Sequence, residues 1–80
     1  MYIEGIKIMK NYIGMLKEEA LNNFRASKVE VQENSKYLGL CITFSCDASS
    51  AYYEARDFAK KFGFRLSANC GRSFEMVKSK

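Results

Sequence analysis

Eighty residues, 48% hydrophobic and 14% aromatic with a formal charge of +4, make one domain over residues 1–80. A chain this short buries only about 60% of the surface it exposes when unfolded, which leaves little room for an enclosed substrate cavity. The aromatic content excludes disorder, no apolar run approaches the roughly 20 residues of a membrane-spanning helix, and three cysteines are too few, and odd in number, for a disulfide scaffold.

The opening MYIEGIKIMKNYIGMLKEE is charged too often for a signal-peptide apolar region. The expectation is a cytoplasmic protein with reduced thiols and no membrane partner. Residues 1–47 carry six basic and six acidic side chains, whereas residues 48–80 carry seven basic and three acidic ones. The excess charge therefore lies in the C-terminal part, which suits a negatively charged partner.

Residues 2–25 read as a long amphipathic helix. Tyr2, Ile6, Met9, Tyr12, Ile13, Leu16, Ala20 and Phe24 recur at steps of three and four and form one stripe. Ile3, Ile8, Met15 and Leu21 flank it. A strand over residues 2–9 is the competing reading, but its alternation is poor. At about 1.5 Å per residue the helix is longer than a strand of ordinary length, so one end is expected to overhang a sheet.

Residues 28–45 read as a hairpin, with Val29, Val31, Leu38, Leu40, Ile42 and Phe44 alternating against polar or small residues. A two-residue turn at Asn34-Ser35 places Glu33 opposite Lys36, Val31 opposite Leu38 and Val29 opposite Leu40. Residues 48–62 read as a second helix, capped by Asp47, Ser49 or Ser50. Its narrow stripe contains Ala48, Ala51, Tyr52, Ala55, Phe58, Ala59 and Phe62, and Gly63 suits the left-handed position that ends it. Residues 64–78 read as a second hairpin around Asn69-Cys70-Gly71. That register pairs Phe64 with Met76, Leu66 with Phe74 and Ala68 with Arg72.

The order α-β-β-α-β-β predicts an α+β domain, a four-stranded antiparallel sheet with two helices packed on one face. Glu30, Gln32, Tyr37, Cys41, Thr43, Arg65, Ser67, Glu75 and Val77 would line the other, open face.

The cysteines do not assemble a reactive centre. Cys41 and Cys46 are an odd number of positions apart, so on one strand they face opposite sides. Cys70 lies at another turn. A structural zinc site takes four Cys or His ligands, commonly in close pairs, and the chain has no histidine. No metal or cofactor is expected. Without histidine a Ser-His-Asp or Cys-His arrangement cannot form, and the acid pairs Glu18/Glu19 and Glu54/Asp57 suit solvated helix faces. No Walker or GxGxxG sequence is present. The expectation is a protein with no catalytic residues.

The order of elements, with YIGMLKEEA over Tyr12 to Ala20, resembles the start of a LAGLIDADG homing-endonuclease half. The resemblance implies helix packing for Gly14 and metal binding for Glu19. Lys17 stands where that family has an acid, Ala20 stands where its motif closes with glycine, and no third helix follows the second hairpin. The resemblance covers the fold over most of the chain and does not extend to the activity.

What remains is macromolecular binding. The expected reading is a small non-enzymatic protein that binds a protein partner stoichiometrically, in the manner of inhibitors and regulators encoded by phages or mobile elements, with a nucleic-acid-handling complex as target. The candidate contact residues are Tyr53, Arg56, Lys60, Lys61, Arg65 and Arg72. The alternative is direct nucleic-acid binding by the basic C-terminal half, with Lys78 among the phosphate contacts and Tyr37 or Tyr53 stacking on bases. A homodimer through the N-terminal helix, by way of Ile3, Ile8 and Met15, is a further expectation.

Overall fold

Alternation along each strand decides which face of a sheet is covered. Here Leu38, Leu40, Ile42, Phe44, Phe74 and Met76 are buried, and Leu16 and Ala20 from the first helix and Ala51, Ala55, Phe58 and Ala59 from the second join the same core. The computed structural model describes the chain from Tyr2 to Ser79, with side chains from Lys10 onward. Its elements are α1 (Tyr2–Asn23), β1 (Ala26–Glu33), β2 (Tyr37–Phe44), α2 (Ala48–Phe62), β3 (Arg65–Cys70) and β4 (Ser73–Ser79). The expected order and the two-layer architecture are both present. Residues 2–9 are helical rather than strand; the readings of the Tyr2, Ile3, Ile6, Ile8 and Met9 side chains fall outside the described ones.

The strands lie in the order β1-β2-β4-β3, all neighbours antiparallel. Each hairpin thus supplies one central and one edge strand. Leu40 pairs with Met76 at the centre, flanked by the pairs Leu38–Lys78 and Ile42–Phe74. The sequence has no internal repeat, yet the fold repeats helix, left-handed residue and hairpin about this central pair. The left-handed residues are Arg25 at φ 62° and Gly63 at φ 76°.

Both turns differ from expectation. In the first, Asn34 Oδ1 accepts the N–H groups of Lys36 (2.8 Å) and Tyr37 (2.7 Å). An asparagine bonding the backbone ahead of it is a turn-setting device. It makes Ser35 and Lys36 the turn residues, so Glu33 stands opposite Leu38, Val31 opposite Leu40 and Val29 opposite Ile42. The slip is two positions along the partner, so every side chain keeps its face. In the second hairpin Cys70 pairs with Ser73, leaving Gly71-Arg72 as the turn. Gly71 has φ 61°, and a glycine at the first central position is the type II′ signature. Leu66 therefore meets Met76 rather than Phe74, and a bulge at Ser67 sets Ala68 opposite Glu75 and Asn69 opposite Phe74. Ala68 is turned away from the apolar face on which it was expected.

Asp47 caps α2 by accepting the Ser50 N–H at 2.8 Å. That bond holds the Asp47 carboxyl below its ordinary pKa. The helices meet through Phe24 and Phe58, edge to face at 5.2 Å, and through Lys61 and Glu19 at 2.7 Å. Phe58 is fully buried and its ring also lies 4.8 Å from that of Phe62. Lys78 projects from β4 on the helix side. Its Nζ donates to Tyr12 Oη at 2.8 Å and to the Phe62 carbonyl at 2.9 Å, so one cation ties β4 to α1 and to the C-terminal turn of α2, where positive charge is favoured. No described helix is long and apolar enough to cross a membrane.

Candidate functional site

Helical spacing gives α2 two distinct faces. The alanine ridge at Ala51, Ala55 and Ala59 is buried, while Tyr52 and Tyr53 remain 46% and 55% exposed. Two adjacent aromatics on a helix cannot both point inward, because successive side chains are about 100° apart around the axis. Their rings meet edge to face at 5.5 Å. Arg56 Cζ lies 5.1 Å from the Tyr53 ring centroid, a cation–π geometry, and Arg56 Nε is 3.8 Å from Asp57 Oδ1. Lys60 is exposed on the same helix.

Tyr52 leans toward the sheet, its ring 6.3 Å from that of Phe74. With Leu66, Ser67, Ala68, Asn69 and Phe74 it lines an open groove of about 240 Å³ between α2 and β3. The sequence reading placed Tyr52 in the core stripe and missed this groove. The signal for it was the Tyr52-Tyr53 doublet.

The expected contact residues do not form one patch. Tyr53, Arg56 and Lys60 come together on α2. Lys61 is engaged by Glu19 and lies over the rings of Phe24 (5.8 Å) and Phe62 (5.3 Å). Arg65 pairs with Val77 on the opposite, open face of the sheet, where it lines a depression of about 330 Å³ with Gln32, Tyr37 and Gly39. A Cβ at Gly39 would stand 3.2 Å from the Gln32 carbonyl oxygen, a tight contact that glycine avoids. Arg72 sits in the far hairpin turn, its carbonyl accepting the Phe44 N–H at 2.9 Å. Lys78, expected among the phosphate contacts, is half-buried against Tyr12 and Phe62.

The three thiols are dispersed. Cys46 follows the end of β2 and packs against the core. Cys70 is exposed beside the second turn. Cys41 lies on the open face between Glu30 and Glu75; burial, then the charges of Glu75 and Glu30, raise its pKa. Among the described residues no group of three His, Cys, Asp or Glu side chains is placed to hold a metal ion. Glu19, the acid singled out by the endonuclease resemblance, is bound by Lys61. The Lys61 hydrogen bond lowers the Glu19 pKa, against an opposing effect of burial. No protein-family model, curated protein or solved structure matches the chain.

Proposed function

We propose that the chain is a small non-catalytic protein that binds a partner protein stoichiometrically through the outer face of α2, as an inhibitor or regulator of a larger, nucleic-acid-handling complex. The observation that carries this reading is the exposed Tyr52-Tyr53 pair with Arg56 stacked on Tyr53. Tyrosine and arginine are the residue types that dominate binding energy at protein interfaces. They offer large contact area at low conformational cost, because few torsions must be frozen. Lys60 and Arg56 favour an acidic partner surface.

The test is capture of partner from source-cell lysate by the immobilised chain. Arg56→Glu with Lys60→Glu abolishes capture, whereas Lys28→Glu with Lys36→Glu, on the other hairpin, preserves it. Equal capture by both variants sinks the reading. A second reading, direct nucleic-acid binding, draws on Tyr37, 48% exposed, and Arg65 beside the Gly39 depression. Glu30 and Glu75 share that face and repel phosphate, which ranks it second. Affinity for single-stranded RNA or DNA that falls steeply with salt is its signature.

A further inference from the structure

We propose that the free edge of β3, together with the groove under Tyr52, takes a short extended acidic segment of the partner as a fifth strand; this deepens the α2 reading above and rests on it. Among the described residues, strand β3 is last in the sheet order and pairs only with β4. An edge strand presents a row of backbone donors and acceptors ready for another chain, and strand addition of this kind draws affinity from the main chain and specificity from pockets for alternate side chains.

The two edges of the sheet are not equivalent. Strand β1 carries Lys28, Glu30 and Glu33, with Lys28 Nζ 3.6 Å from Glu30 Oε1. Charged side chains along an edge discourage pairing. Strand β3 reads RLSANC, with no charge between Arg65 and Arg72. Directly beside that neutral stretch lies the 240 Å³ groove, with half-exposed Tyr52 as its wall and Leu66 and Phe74 as its apolar floor. The Ser67 bulge brings Asn69 opposite Phe74, so the residue on the groove side is a polar amide. One apolar side chain of the added segment enters this groove. The bulge also breaks the regular run of β3, which keeps that segment short.

Charge sets the chemistry of the occupant. Arg65 opens β3 and Arg72 follows its end, while Arg56 and Lys60 stand on the adjoining helix. The acids on that helix are Glu54, half-buried, and Asp57, beside Arg56 at 3.8 Å. Arg56 and Lys60 stand on the helix that walls the groove, whereas Glu75, opposite Ala68, lies on the open face with Arg65, so the groove side of the edge matches an acidic segment with one large apolar residue at its centre.

The test selects a displayed library of random linear segments on the full chain, then maps the selected segment by backbone-amide NMR. The expected consensus has Asp or Glu at the flanks, alternating β-branched or aromatic residues at the centre and no central proline. The expected shifts centre on residues 66–70 and Tyr52. Tyr52→Ala, and Arg56→Glu with Lys60→Glu, should each weaken binding about tenfold or more. No enrichment, a basic or proline-rich consensus, or shifts centred on β1 or on the open face overturns the proposal. If a captured partner needs Arg56 and Lys60 yet leaves the β3 amides unmoved, the α2 reading stands and strand addition falls.

Discussion

Lys78 and Lys60 are two lysines that composition cannot distinguish, and the structure predicts opposite consequences for losing them. Lys78→Met keeps the aliphatic stem but removes the donors to Tyr12 Oη and the Phe62 carbonyl, together with the cation 5.0 Å from the Tyr12 ring centroid. A hydrogen bond from a charged donor contributes about 1.5–3 kcal/mol net, and the half-exposed position argues for well under the low end of that range for each. Adding a modest cation–π contribution and the favourable charge at a helix C-terminus gives a loss of about 2 kcal/mol. A domain of this length has roughly 4–12 kcal/mol in all. The melting temperature should therefore fall by about 8–16 °C. Lys60→Met, at an exposed position, should stay within about 0.5 kcal/mol of the parent. Urea titration followed by circular dichroism measures both, with an unchanged slope expected. If the two variants have the same midpoint, Lys78 does not tie the layers together and the account of how α1 and α2 are anchored is wrong.

Phe58→Ala removes a fully buried ring that touches Phe24 and Phe62; a loss of about 3–5 kcal/mol should lower the urea midpoint, followed by circular dichroism, further than Lys78→Met does. The two helix exits should respond in opposite directions to a change of residue: Arg25→Gly relieves a non-glycine residue at φ 62° and should stabilise by about 1 kcal/mol, whereas Gly63→Ala at φ 76° should cost about as much, in urea midpoints. The Glu19 and Asp47 carboxyls have lowered folded-state pKa values, so their contribution is complete above the unfolded-state pKa and is lost as pH falls through the folded value. The urea midpoint should thus drop on acidification through the ordinary carboxylate range and below it, and Glu19→Gln with Asp47→Asn should flatten the profile. Alkylation with iodoacetamide, read by mass spectrometry, should label exposed Cys70 first and Cys41 late, because the Cys41 thiol is partly buried and its pKa is raised beside Glu75 and Glu30.

The elements were legible because their periods differ: steps of three and four in residues 2–25 and 48–62, steps of two in the hairpins. The second helix matches its expected limits, and Asp47 and Gly63 are the cap and the stop. Strand order was not legible, since β1-β2-β4-β3 is decided by which hairpin strands bury most apolar surface together, and Leu40 against Met76 is a long-range choice. Registers were off because each turn offered two plausible tips. Asn34 acts as the acceptor that starts its turn rather than as a central residue, and Gly71 takes the first central position rather than the last. The Ser67 bulge leaves no mark in a run as bland as LSANC. The candidate site was legible only in part. Tyr53, Arg56 and Lys60 follow from helical phase, but the separation of Arg65 and Arg72 from them depends on sheet geometry that charge counting ignores.

The inward and outward faces of α2 are linked. Small residues at Ala51, Ala55 and Ala59 are buried and let the helix axis approach the sheet, as close packing of a low ridge allows. Tyr52, about 100° round the helix from Ala51, rests its ring against Phe74 and walls the groove at β3. Tyr53, one step further round, is carried into solvent where Arg56 stacks on it. The exposed aromatics therefore follow from helical phase once the alanine ridge is buried, and Tyr52 walls the groove at β3. A larger side chain on that ridge would lift the helix and alter the groove and the core together, which ties the proposed binding surface to the stability of the domain.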